Sequence, residues 1–249
     1  MEPTLTPEQL FERCREIRKQ GGQGVLISGG SDAEGHVPLD RFGEAIQRVK
    51  SKLGLQIVVH TGLVTPSTAR ALAEAQIDAA MLDVIGDASV ASRVYHISDG
   101  PRKMRASLDI LESYGVPTVP HILVGLDNGK IHGELEAMRL IAQGKPSAIV
   151  VIALNPLRRT SMEDVTPPSP NAIGRIMTTV RLGFKNIPVL LGCARPMGQH
   201  KIDTDLLAVQ SGMNGVALIS QEGVDFARQL GLVPVFEDAC CSLAYKVIS

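Results

Sequence analysis

Tryptophan is absent from this 249-residue sequence, and aromatic residues of all kinds make up 3% of it. Proteins that hold single-stranded nucleic acid stack bases on aromatic platforms, so that class has little to build on. A basic face is lacking as well. The 25 Lys and Arg and the 26 Asp and Glu are interspersed and leave a net charge of −1, whereas phosphate backbones require clustered cations. Apolar runs such as 148–154 are too short to cross a bilayer, and the opening MEPTLTPEQL is not a basic-then-apolar signal. The expectation is a soluble cytoplasmic protein without nucleic-acid or membrane partners. With only four cysteines, Cys14, Cys193, Cys240 and Cys241, no disulfide framework is available, so their chemistry must be local.

What is present is alternation. Short, β-branched apolar runs at 24–28, 56–60, 79–84, 118–124, 148–154, 187–191 and 215–219 read as strands buried on both faces. The segments between them carry helical periodicity and helix signals: Thr6-Pro7-Glu8 and Pro66-Ser67 as starts, Gly115 as the stop after 102–114. Strand–helix alternation implies right-handed crossovers into a parallel sheet, and this many units favour a (β/α) barrel of the TIM type. The rival, an open doubly wound sheet, would need a G-x-G-x-x-G turn after its first strand, and Ser28-Gly29-Gly30-Ser31-Asp32 is not one. One domain over 1–249 is expected. Residues 155–171, with four prolines, form the one linker-like stretch and read as a loop over the functional face.

In such a barrel the chemistry sits just beyond the strand C-termini. Those positions hold Ser28-Gly29-Gly30-Ser31-Asp32, His60-Thr61-Gly62, 83–87, 125–130, Asn155-Pro156-Leu157-Arg158, Gly192-Cys193-Ala194-Arg195-Pro196 and Ser220-Gln221-Glu222. Paired glycines let a ligand approach the backbone, although turn geometry explains such a pair equally well. No strand interior carries a lysine, which argues against a Schiff-base aldolase.

The order and spacing of LISGGSD, HTGLV, GLDNGKIHGE, GCARP and the terminal CCSL resemble the radical S-adenosylmethionine superfamily over nearly the whole chain. Within it they are most similar to the biotin synthase branch and its two-component lipoyl synthases. The resemblance implies reductive cleavage of S-adenosylmethionine, hydrogen abstraction and sulfur insertion, on a small-molecule or lipoyl-domain-like substrate, with a partner subunit. It implies that Gly29 and Gly30 receive the methionine amine, and that Asp87, or Asp83 in its stead, holds the ribose. Arg102 would hold the cofactor's carboxylate, Gly125 would lie along the adenine, and Glu134 with Lys130 would complete a polar wall. Arg195, Cys193 and His60 fall beside the substrate or an auxiliary cluster, for which Cys193, Cys240 and Cys241 are ligand candidates. Blander readings stand beside each: a helix cap for Asp87, a solvated arginine for Arg102, an exposed pair for Lys130 and Glu134, a locking ion pair for Arg195, core packing for His60, His121 and Cys14, and small buried residues for Cys240 and Cys241.

The superfamily's [4Fe–4S] cluster is held by a C-x-x-x-C-x-x-C loop after the first strand, and no such spacing occurs here. The expectation is therefore a partial barrel of about seven parallel strands, lacking the first, either from a shortened chain or from a relative that has lost the cluster. Whether it is itself an enzyme stays open, with a cluster-free barrel that binds S-adenosylmethionine or a partner as the alternative.

Overall fold

The computed structural model describes residues 3–247. Seven parallel strands run in chain order: β1 (Gly24–Ile27), β2 (Gln56–His60), β3 (Ala79–Asp83), β4 (Thr118–Val124), β5 (Ile149–Ala153), β6 (Val189–Leu191) and β7 (Gly215–Val216). Each pairs only with its sequence neighbours, so the sheet curls into a half-barrel with open edges at β1 and β7 among the described residues. Alternation leads to the expectation of a TIM-type barrel and the family resemblance to that of a partial one, and a partial TIM-type barrel of seven parallel strands is what the chain forms.

Nine helices lie between and beyond the strands among the described residues: α1 (Pro7–Lys19), α2 (Gly43–Arg48), α3 (Pro66–Glu74), α4 (Ala88–Tyr95), α5 (Gly100–Ser113), α6 (Glu134–Ile141), α7 (Pro170–Gly183), α8 (Gln199–Gln210) and α9 (Gln221–Gln229). Local chemistry fixes their ends. Thr6 caps α1 in a reciprocal capping box with Gln9, and Pro7 sits where its missing N–H costs nothing. Thr65, Ser169 and Ser220 cap α3, α7 and α9 in the same side-chain-to-backbone manner. No helix among the described residues is long and apolar enough to cross a membrane.

Strand alternation sorts side chains into two layers. Ile57, Val59, Ala80, Ile122, Val124, Val151 and Leu191 face outward into cores shared with the helices, and Cys14 of α1 is buried in one of these. Val58, Met81, Val119, Val150 and Leu190 face inward. A closed barrel would fill that interior from all sides. Here a short 3₁₀ segment near the C-terminus, Cys241–Lys246, lies against the concave face and buries Leu243 among the inward residues.

That segment is fastened at the N-terminal end of β3. Buried Asp78 accepts from Lys50 Nζ at 2.6 Å and from the Ile57 amide at 2.6 Å, and also pairs with Lys246. Tyr245 donates its hydroxyl to the Asp78 carbonyl.

Candidate functional site

The same alternation that sends Val58, Met81 and Val119 inward sends His60, Asp83 and His121 inward one layer higher. They converge. His60 Nε2 lies 3.4 Å and His121 Nδ1 3.5 Å from the same oxygen, Asp83 Oδ1. Tyr95, from α4, donates its hydroxyl to Asp83 Oδ2 at 2.8 Å. Burial pushes the Asp83 carboxyl up, but hydrogen bonds from His121 and His60 outweigh it and hold the group well below the ordinary range. The His60 imidazole is raised by its bond to Asp83 against a smaller effect of burial. Burial and the Asp83 charge push the Tyr95 phenol upward, so it stays a donor.

A second group lies at the ends of β3 and β4. The Gly125 amide donates to Glu134 Oε1 at 2.8 Å, while Glu134 Oε2 is buried with no partner, and burial raises this carboxyl. Gly125 has φ +83°, and a Cβ there would meet Pro168 Cγ at 2.6 Å, so the 155–171 loop packs directly on it. Gly86 approaches Gly133 still more closely: a Cβ on it would lie 2.1 Å from the Gly133 carbonyl oxygen. This contact sets Asp87 beside the loop that carries Glu134. Asp87 caps α4, accepting from Ser89 at 2.6 Å and the Val90 amide at 2.9 Å, and these bonds lower its pKa. Its other oxygen is 3.3 Å from His132 Nε2, and His132 Nδ1 is 3.0 Å from Asp127. Lys130 is exposed.

Gly29 and Gly30 lie exposed beyond β1; a Cβ at Gly30 would meet nothing within 4 Å, so the space above it is open. Arg102, on the first turn of α5, is exposed and pairs with Asp99 three residues back. Arg195 is fully enclosed. Its guanidinium donates to Asp205 at 2.9 Å, to the Gly192 carbonyl at 2.6 Å and to the Ala217 carbonyl at 2.7 Å. That arrangement locks β6, β7 and α8 together and leaves the fork no free edge for a substrate carboxylate.

Cys240 and Cys241 lie at the start of the C-terminal 3₁₀ segment. A hydrogen bond from Cys241 brings the Cys240 thiol down to about 6, and the same bond with burial pushes Cys241 up. Cys193 and Cys240 are exposed and Cys241 is partly buried, so the reading of Cys240 and Cys241 as small buried residues does not hold for Cys240. Yet among the described residues the thiols form no group of three with ligand atoms within 4.8 Å, whereas His60, Asp83 and His121 do. With Cys14 on the far side of the sheet, the described cysteines do not fit a three-thiolate cluster. A larger cavity of about 420 Å³, bounded by His36, Leu63, Lys103 and Ser107, includes none of the residues singled out from the sequence.

Of those residues, the structure brings His60 and Asp83 together on the inner face, and Asp87, Gly125 and Glu134 together at neighbouring strand ends. It sets Arg102 outside and Arg195 within the framework. Tyr95 joins Asp83 unannounced, and His121, which the sequence assigns to core packing, joins it as well. The signal for His121 was parity: it stands two residues past Val119, on the face that Met81 and Asp83 share.

No protein-family model matches the chain. Among curated proteins it is 26% identical over 226 residues to a 3-methylornithine synthase of Methanosarcina barkeri, covering 86% of this chain and 60% of that protein. The chain thus spans under two thirds of the length of the curated relative it matches. Of solved structures, methylornithine synthase (PylB) superposes with a TM-score of 0.66 at 20% identity, over 99% of this chain and 77% of that one. HydG, a maturase of the [FeFe]-hydrogenase, gives 0.66 at 15% identity over 99% and 60%. Streptococcus suis SuiB bound to S-adenosylmethionine gives 0.56 at 14% identity over 80% and 44%. What these structures share with the chain is its fold, a parallel sheet curled toward a barrel.

Proposed function

We propose that this chain is the cofactor-binding half-barrel of a radical S-adenosylmethionine protein of the biotin and lipoyl synthase type. One observation carries the reading: open space above Gly30, Asp87, and the buried unpartnered Glu134 Oε2 stand at the ends of β1, β3 and β4. These are the strand ends where the sequence resemblance puts the methionine, ribose and adenine contacts. Likeness to a methylornithine synthase in sequence, and to barrels that include one crystallised with S-adenosylmethionine, supports it.

In the residues' own chemistry, the backbone at Gly29 and Gly30 receives the methionine end. Asp87 Oδ2 accepts from a ribose hydroxyl. Glu134 Oε2, an acceptor with nothing to accept, takes an exocyclic amine, removing the cost of a bare buried carboxylate oxygen. A reduced cluster, if supplied, would provide the electron for hydrogen-abstracting radical chemistry on the cofactor. The cluster ligands would come from outside the described residues, from another segment or a partner subunit, and the substrate would be a small molecule or a lipoyl-bearing domain. A cytoplasmic setting would keep the four thiols reduced.

Calorimetry tests this directly. The chain alone should bind S-adenosylmethionine weakly, with Kd on the order of 0.1–1 mM, equivalent to roughly 4–5.5 kcal/mol. Gly30→Val should weaken binding at least tenfold and leave Tm unchanged, because a Cβ there touches no protein atom. Asp87→Ala is a poorer probe, since it also removes the α4 cap, worth about 1 kcal/mol. Absence of binding at millimolar cofactor, or equal binding by the Gly30 variant, would refute the assignment.

A further inference from the structure

We propose that His60, Asp83 and His121 form a mononuclear site for a divalent transition-metal ion on the concave face of the half-barrel, independent of the cofactor site proposed above. The argument begins with distances. His60 Nε2 and His121 Nδ1 stand 3.4 and 3.5 Å from one carboxylate oxygen, at the weak, long end of hydrogen bonding, whose usual length is near 2.9 Å. The same distances match the edge of a coordination tetrahedron. Metal–nitrogen and metal–oxygen bonds of about 2.0–2.1 Å at tetrahedral angles put neighbouring ligand atoms roughly 3.3–3.4 Å apart. The imidazole rings are tilted by 56° with centroids 5.8 Å apart, so they do not stack and both ring edges can face a common point.

Polar satisfaction supports the same reading. Both imidazoles reach Asp83 Oδ1 only at these long contacts, and His121, which turns Nδ1 toward it, is more than nine-tenths buried. A cation between Asp83 Oδ1, His60 Nε2 and His121 Nδ1 would give each of these atoms a ligand bond in place of a long contact. The outer support is also in place. Tyr95 fixes Asp83 through Oδ2 at 2.8 Å, leaving Oδ1 turned toward the two histidines, which is how supporting residues orient a metal-bound carboxylate.

The donor set selects the ion. Two imidazoles and one carboxylate suit Zn²⁺, Fe²⁺ or Co²⁺ and disfavour Mg²⁺ and Ca²⁺, which prefer oxygen alone. Three protein ligands leave a coordination position free for water or for a substrate. The assigned chemical class is thus a borderline divalent ion with an exchangeable position, suited to polarising a carbonyl or binding an amine or thiol of a substrate.

The test uses metal-free chain and Zn²⁺ as the probe. One equivalent per chain should bind and raise Tm, and Co²⁺ in its place should give the visible absorption of a four- or five-coordinate ion. His60→Gln, at a partly exposed strand end, should lower Zn²⁺ affinity at least 100-fold while circular dichroism and metal-free Tm stay close to the parent. Tyr95→Phe should lower it about 10–100-fold, as loss of an outer support does. The combined Cys193→Ser, Cys240→Ser, Cys241→Ser variant should still bind one equivalent. No stoichiometric binding by the parent, unchanged affinity in His60→Gln, or loss of binding only in the serine variant would overturn the proposal. None of these readouts involves S-adenosylmethionine, so they separate this site's failure from that of the cofactor reading.

Discussion

At the scale of single residues, a side chain's role here is decided by which of its polar atoms remain free. Arg195 is the clearest case, because its position after β6 suggests a substrate clamp while its geometry spends every reachable donor on Asp205 and backbone carbonyls. Sequence could not distinguish the two, since the acid that meets it lies ten residues on, one helix later. The lock makes a prediction. Arg195→Met should destabilise the fold by about 3–5 kcal/mol, because buried Asp205 loses its fork and the Gly192 and Ala217 carbonyls lose their donor. Arg195→Lys should retain part of this, as a single ammonium cannot reach all three acceptors. Urea denaturation reads both, and a loss below about 1 kcal/mol in the Met variant would show that Lys201, which also holds Asp205, suffices alone. His121 teaches the converse lesson. Its chemical company was legible from period-two parity, but only once strand register was known, since Asp83 and His121 are register partners 38 residues apart along the chain.

Elements were read more faithfully than their ends. All seven strands appear, yet β6 starts at Val189 rather than Ile187 and β7 stops at Val216 rather than Ile219. Both trims have local causes. Pro188 cannot donate an N–H to a parallel ladder, and Leu218 adopts φ +51°, which turns the chain out of the strand. The least legible element is the C-terminal 3₁₀ segment, whose six residues are too few to give a periodicity and whose place depends on Asp78 far away in sequence. Burial pushes the Asp78 carboxyl up, but Lys246, Lys50 and the Ile57 amide outweigh it and leave it lowered. A carboxyl lowered in the folded state contributes stability that is present above its unfolded value, about 3.8, and is lost as pH falls through the folded value. Asp78→Asn should therefore cost about 1–3 kcal/mol at pH 7. The gap between variant and parent should close as the solution is acidified below pH ~4. Thermal melts across pH 3–7 check this, and a gap that stayed constant on acidification would mean the charge is not what holds the segment.

For the whole molecule, the governing fact is that an incomplete barrel must cover an apolar interior it cannot enclose. Among the described residues the sheet has two free edges, and inward-facing Leu26 on the β1 edge is 48% exposed, beside a small cavity of about 120 Å³ that reaches Cys240 and Leu243. The chain covers the rest with its own tail, so Leu243 serves where a facing strand would stand in a closed barrel. Removing residues 239–249 should uncover Val58, Val119, Val150 and Leu190 at once. Re-exposing Leu243's contact surface alone is worth roughly 1.5–3 kcal/mol, and the Asp78 contacts to Tyr245 and Lys246 would go with it. The shortened protein should melt several degrees lower, bind a hydrophobic dye that the parent ignores, and associate with rising concentration, because a concave apolar face invites a second copy. Differential scanning and sedimentation against the parent decide the matter. An unchanged melting temperature without dye binding would mean that the curled sheet closes on itself once the tail is gone, and that the segment carrying Cys240 and Cys241 is retained for its thiols rather than for its packing.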